Sequence, residues 1–153
     1  SLKTPRWPIR QILLVLQDHH IDGCAVEWAI QVARASKASI TILPVIPAVP
    51  VLYASMQHDL PKLLSSDCQL GSHLHQVARR LVDWEIPGTI KLRDESPEWQ
   101  IRWEVDEGDN DLIIIGADLQ NRFRGLVMKD LLLPLLNWVH IPVLISQVYP
   151  RGR

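Results

Sequence analysis

Four short apolar runs constrain this chain more than any other feature: "QILLVL" at 11–16, "ASITILPVI" at 38–46, "DLIIIG" at 111–116 and "IPVLISQV" at 141–148. None reaches the ~20 residues that a membrane-spanning helix needs, so no membrane insertion of this segment is expected. They also lack the in–out alternation of a half-exposed strand, which is the pattern of strands buried on both faces and hence of a parallel sheet covered by helices. The intervening stretches supply those helices. Ala25, Trp28, Ala29, Val32 and Ala33 recur at helical spacing after the loop "QDHHID", with Asp22 placed to cap a helix that ends near Ser36. Leu74, Val77, Ala78, Leu81 and Val82 repeat the pattern in a helix that stops before Pro87. Ser96, Pro97 and Glu98 give a cap, a first-turn proline and a first-turn acid for a third helix closed by Gly108. A fourth helix runs to about Val139, with Pro134 inside it.

The remaining strand, "GTIKLR" at 88–93, is less apolar and is expected at a sheet edge, while Pro44 removes a ladder donor and marks the end of its own strand. The alternation β-α-β-α-β-α-β-α-β, joined by right-handed crossovers, implies an α/β fold: an open doubly wound, Rossmann-like, five-stranded parallel sheet with four main helices on two faces. The chain divides into an extended N-terminal arm at 1–10 containing two prolines, one domain at 11–148, and a tail at 149–153. A start at Ser1 without methionine suggests a processed or excised piece of something longer. The segment from Pro47 to about Asp67 and the arm are the candidates for mobility.

Charge and cysteine usage narrow the partners. Sixteen basic residues against seventeen acidic ones leave a formal charge of −1, too little field to favour nucleic acid or an anionic membrane. Cys24 and Cys68 have no metal-type spacing, and a domain of 153 residues does not need a disulfide, so a cytoplasmic setting is expected.

In a doubly wound sheet, ligands sit outside the carboxyl ends of the strands where the strand order reverses, which directs attention to the loops after the first and fourth apolar runs. The second of these is "GADLQNRFRGLVMKD" at 116–130. Taken together, "ILLVLQDHHIDGCAVEWAIQVA", "ASITILPVI" and "DLIIIGADLQNRFRGLVMKDLLLPLLNWVHIPVLI" resemble the universal stress protein family over nearly the whole domain. That resemblance implies a sheet of strand order 3-2-1-4-5. It also implies a homodimer paired through the last strand at Val143, Leu144 and Ile145. Members of the family that hold ATP carry Gly-x2-Gly-x9-Gly-Ser/Thr after the fourth strand. Laid on that pattern without a gap, this chain keeps Gly116 but has Leu119, Lys129 and Asp130 at the other three positions. The aspartate that usually follows the first strand and reads the adenine corresponds to Gln17, with Asp18 one residue late, and a further contact falls on Val45.

Small residues in such a loop let backbone N–H groups and a helix N-terminus approach the phosphates. Leu119 obstructs that approach, and Asp130 places a carboxylate at the helix start. Two like charges about 4 Å apart repel by roughly 4 kcal/mol at an effective dielectric near 20, whereas Lys129, Arg122 and Arg124 pull the other way. The expectation is a stress-response or regulatory module with no cofactor that does not bind ATP in the usual way. Two alternatives stay open: a sensor of ATP or another adenine nucleotide with an altered phosphate loop, and a cytosolic regulatory domain of a larger transporter or kinase that meets a protein partner.

Other residues invite chemistry. His19 and His20 form a pair in the ligand-side loop, but no cysteine, histidine or acid stands at a recognisable metal spacing from them, so they are expected to be exposed loop histidines. His73 and His75 point to different faces of one helix, and Trp99 and Trp103 suit packing or a subunit contact. The charge run "VDEGDND" reads as a solvated helix exit. No Walker loop, Gly-x-Ser-x-Gly elbow or His-Glu-x-x-His is present, so no catalytic residue is assigned.

Overall fold

The computed structural model describes residues 8–45, 69–92, 97–118 and 128–148. Its elements are β1 (Gln11–Leu16), α1 (His19–Ser36), β2 (Ser39–Pro44), α2 (Gln69–Asp83), β3 (Gly88–Ile90), α3 (Pro97–Glu107), β4 (Leu112–Ala117), α4 (Met128–Trp138) and β5 (Val143–Gln147), numbered here in chain order. The strands form one parallel sheet in the order β3-β2-β1-β4-β5. The order expected from the sequence is the order found.

Alternation of side chains along the buried strands divides the core between the two faces. Ile12, Leu14 and Leu16 of β1 pack with Ile40 and Ile42 of β2, with Ala25, Val26, Ala29, Ile30 and Ala33 of α1, and with Leu74, Val77 and Leu81 of α2. On the opposite face, Leu13 and Val15 meet Ile113 and Ile115 of β4, Ile101 of α3, and Leu132 and Leu135 of α4. Each of the larger side chains contributes roughly 1.5–3 kcal/mol by leaving water.

Several boundaries differ from the sequence expectation for physical reasons. The helix α1 starts three residues before Asp22: its N-cap is Asp18, in extended backbone at φ −158° and ψ 139°, whose side chain accepts from the His20 N–H. The stripe that α1 buries is also rotated. Ala25, Ala29 and Ala33 lie against the sheet as expected, but Val26 and Ile30 accompany them and Trp28 is 53% exposed. Three alanines let the helix approach closely, which leaves no room for an indole. Val82, assigned to the buried stripe of α2, is exposed at the helix end. The edge strand β3 pairs with β2 only over Gly88–Ile90, and Lys91 and Leu92 lie beyond it, although the Lys91 N–H still reaches the Ile42 carbonyl at 2.9 Å. Pro44 ends β2 opposite Leu16, as its missing donor requires.

Most of the arm (1–7), the segment 46–68 and the tail 149–153 lie outside the described residues. The start of β1 is anchored: the Arg10 and Gln11 N–H groups both donate to the Asp111 carboxylate, at 2.9 and 3.0 Å.

Candidate functional site

The carboxyl ends of β1 and β4 lie side by side, with Ile12 to Val15 in register with Leu112 to Ile115. The first turn of α1 sits directly on them. A Cβ added at Gly116 would lie 2.5 Å from the Ile21 carbonyl oxygen and 3.1 Å from Ile21 Cγ2, so glycine is needed here because helix and strand backbones nearly touch. Gly116 therefore has a packing reason in this chain whether or not phosphate is ever bound.

Gln17 follows β1 and turns its side chain across this junction. Its Nε2 donates to the Gly116 carbonyl at 2.7 Å, tying the ends of the two central strands together. The backbone N–H of Gln17 is taken by Asp22, whose two carboxylate oxygens lie 3.0 and 2.8 Å away, and the Asp18 N–H donates to the same carboxylate at 3.0 Å. Asp18 in turn accepts from the His20 N–H at 2.7 Å, while its carbonyl accepts from the Ile21 and Asp22 N–H groups, both at 2.9 Å. At the start of α1 the His20 N–H is thus taken by the Asp18 carboxylate and the Ile21 and Asp22 N–H groups by the Asp18 carbonyl, while the Gln17 and Asp18 N–H groups just before the helix are held by the Asp22 carboxylate.

Asp22 is fully buried and its remaining partner comes from α2: His73 Nε2 lies 2.9 Å from Asp22 Oδ2. Burial pushes the Asp22 carboxyl above the ordinary carboxylate range. The His73 hydrogen bond and charge, and the Gln17 and Asp18 N–H groups, oppose that rise. The result is a polar knot at the start of α1 in which Asp22 holds the Gln17 and Asp18 N–H groups and His73, while the Gln17 side chain reaches Gly116.

Of the residues selected from the sequence, Gln17, Asp18 and Gly116 converge on this knot. Val45 does not: its side chain is fully buried in the core facing α3 and α4, while its N–H donates to the Leu16 carbonyl at 2.8 Å. Leu119 lies outside the described residues. The backbones of Lys129 and Asp130 fall in the first turn of α4, where the sequence put the helix start. Val143, Leu144 and Ile145 lie on β5 at the margin of the sheet, with Ile145 39% exposed.

Sequence reasoning missed the Asp22–His73 pair. Asp22 was read as a cap, and His73 is 51 residues away. A signal was available, because His73 lies one turn before the buried Val77 on α2 and so belongs near the face that meets the sheet. The histidine pair was also misplaced: His19 and His20 open α1 instead of lying in a loop, directly after the capping Asp18. Trp99 is 51% and Trp103 44% exposed, and Arg102 lies over the rings of both Trp99 and Trp138, with its guanidinium carbon 4.8 and 5.1 Å from their centroids. These aromatics belong to the α3–α4 surface and not to the crevice.

The model of the universal stress protein family matches residues 8–147. No curated protein matches the chain. Among solved structures, a protein of that family from Burkholderia pseudomallei is similar at 18% identity and TM-score 0.63, over 92% of this chain and 98% of that one. A universal stress protein from Archaeoglobus fulgidus is similar at 14% identity and TM-score 0.64, over 90% and 97% of the two chains. A family protein from Arabidopsis thaliana with AMP bound is similar at 17% identity and TM-score 0.59, over 92% of each chain. At these identities the likeness is one of fold.

Proposed function

The chain belongs to the universal stress protein family, and from that premise we propose a stress-response module that signals without holding ATP in the family's usual way. The observation that carries this reading is the engagement of the β1–α1 N–H groups by Asp22 and Asp18, at 2.7–3.0 Å. An anionic ligand entering there would have to displace a buried carboxylate that is already hydrogen-bonded, and would meet its charge. Gln17 stands where the family places its adenine-reading aspartate, and its amide is engaged by the Gly116 carbonyl. In the phosphate loop, the side chain of Leu119 and the carboxylate of Asp130 act in the same direction.

The module works as a homodimer paired through β5 in the cytoplasm, and it passes its signal to a protein partner or to the rest of a larger polypeptide. Support for the dimer comes from the position of β5 at the sheet margin and from the exposure of Ile145. No helix among the described residues is long and apolar enough to cross a membrane.

The test is calorimetric titration of the purified protein with ATP and with AMP, together with mass spectrometry of any nucleotide carried through purification. Neither saturable heat nor a retained nucleotide is expected. Replacing Leu119 and Lys129 by glycine and Asp130 by serine should raise ATP affinity at least about tenfold, near 1.4 kcal/mol. Micromolar ATP or AMP binding by the unmodified protein would establish the sensor reading instead.

A further inference from the structure

The geometry points to a surface site for a divalent transition cation of the zinc type, formed by Asp18, His19 and His20 at the start of α1. Each of the three offers one ligand atom, and these atoms all lie within 4.8 Å of one another. Ligands bound about 2.0–2.2 Å from one zinc ion can be no more than roughly 4.4 Å apart, so a small rotation of side chains completes the set. His19 and His20 are exposed and have that freedom, and side-chain exposure is 47% for His19 and 41% for Asp18.

The carboxylate has a fixed anchor and the rings are already gathered. Asp18 Oδ1 accepts from the His20 N–H at 2.7 Å and lies 3.5 Å from His19 Nδ1. The His19 and His20 ring centroids are 3.8 Å apart at an interplanar angle of 41°. A second, independent element borders the cluster: the His73 ring of α2 stands edge-on to His19 with centroids 6.3 Å apart, its Nε2 engaged by Asp22. The inner wall of the site is therefore held in place by the buried knot, while the outer side faces water.

Two imidazoles and one carboxylate select the metal. Nitrogen donors suit zinc, nickel, copper and cobalt, whereas magnesium and calcium require oxygen-rich sets. With three protein ligands a tetrahedral ion keeps one position open, the arrangement of a site that exchanges water or an external ligand. The helix N-terminus opposes a cation with a partial positive charge, and the Asp18 carboxylate offsets it. The site shares Asp18 with the polar knot but uses only its outward carboxylate, while Asp22 and His73 stay engaged with each other.

The experiment is titration of the untagged full chain with zinc chloride at about pH 7.5, followed by calorimetry, and with cobalt(II) followed by its visible absorption. One equivalent should bind with micromolar Kd, and magnesium should produce no saturable signal. His19→Ala and His20→Ala should each weaken zinc binding at least about tenfold. Asp18→Asn is the decisive variant: asparagine preserves the helix cap, so a comparable loss with unchanged circular dichroism assigns the carboxylate as a ligand. His75→Ala, exposed on α2 away from the cluster, should bind zinc normally. Absence of saturable zinc binding, or binding that survives the His19→Ala/His20→Ala double substitution, overturns the site.

Discussion

Asp22 is a buried carboxylate that accepts from two backbone N–H groups and faces His73. Replacing it with alanine leaves those donors buried without partners, and unfolding in urea should show a loss of about 3 kcal/mol. The sign of its pH dependence follows from the direction of its shift. Burial raises its folded value above the ordinary 3.8, so the folded state holds the proton more tightly than the unfolded chain does. Its stabilising contribution is complete below the ordinary value and is lost as pH rises through the raised folded value. Asp22→Asn removes this titration. The stability of Asp22→Asn relative to the unmodified protein should therefore improve as pH is raised from about 4 towards neutrality, and a constant difference across that range would refute the assignment. Gly116 is constrained by space: Gly116→Ala should cost about 1–3 kcal/mol because the Ile21 carbonyl cannot withdraw without moving the first turn of α1.

At the scale of elements, α1 is held at both ends by different devices. Its N-terminus is tied by Asp18 and the buried Asp22, whereas its C-terminus closes at Lys37, which adopts the left-handed conformation at φ 57° and ψ 42° while the Ala38 N–H returns to the Ala33 carbonyl at 2.9 Å. Lysine is strained there and glycine is not, so Lys37→Gly should stabilise the protein by about 0.5–1 kcal/mol, read as a raised melting temperature. The surface ion pair between Glu27 of α1 and Arg80 of α2 contributes far less than its contact suggests. Arg80 holds the Glu27 carboxyl below its ordinary range by a hydrogen bond, but both side chains are more than two-fifths exposed and are screened by solvent. The sheet itself takes its uneven strand lengths from burial, since β3 at the edge is three residues long and central β1 and β4 are six each.

For the whole molecule, the open question of assembly rests on which N–H groups β5 leaves outward. The Ile113 N–H donates to the Pro142 carbonyl and the Val148 N–H to the Ala117 carbonyl, at 3.0 and 2.9 Å. Parallel alternation between those two bonds turns Leu144 and Ser146 towards β4 and leaves Val143, Ile145 and Gln147 facing the edge. Ile145→Pro should therefore block pairing across a two-fold axis without cutting the β4–β5 ladder. Light scattering at micromolar concentration should give a dimer for the unmodified protein and a monomer for Ile145→Pro, with unchanged circular dichroism. A monomer in both cases would remove β5 as the dimer edge.

The amino-acid sequence by itself determined the succession of elements and their parallel pairing, and its resemblance to a known family implied the strand order. Runs such as "LIIIG" can be buried only by helices on both sides, and right-handed crossovers of the intervening lengths leave few ways to arrange them. The departure from the family's phosphate-loop pattern at Leu119, Lys129 and Asp130 is legible only through that resemblance. The sequence places Asp22 at the cap of α1, whereas the structure puts Asp18 there. Both lie within reach of the same few N–H groups, and helical spacing shifts by a turn at little local cost. Tertiary structure decided it by bringing His73 against Asp22 from another helix, which makes burial of that carboxylate tolerable and leaves the exposed cap to Asp18.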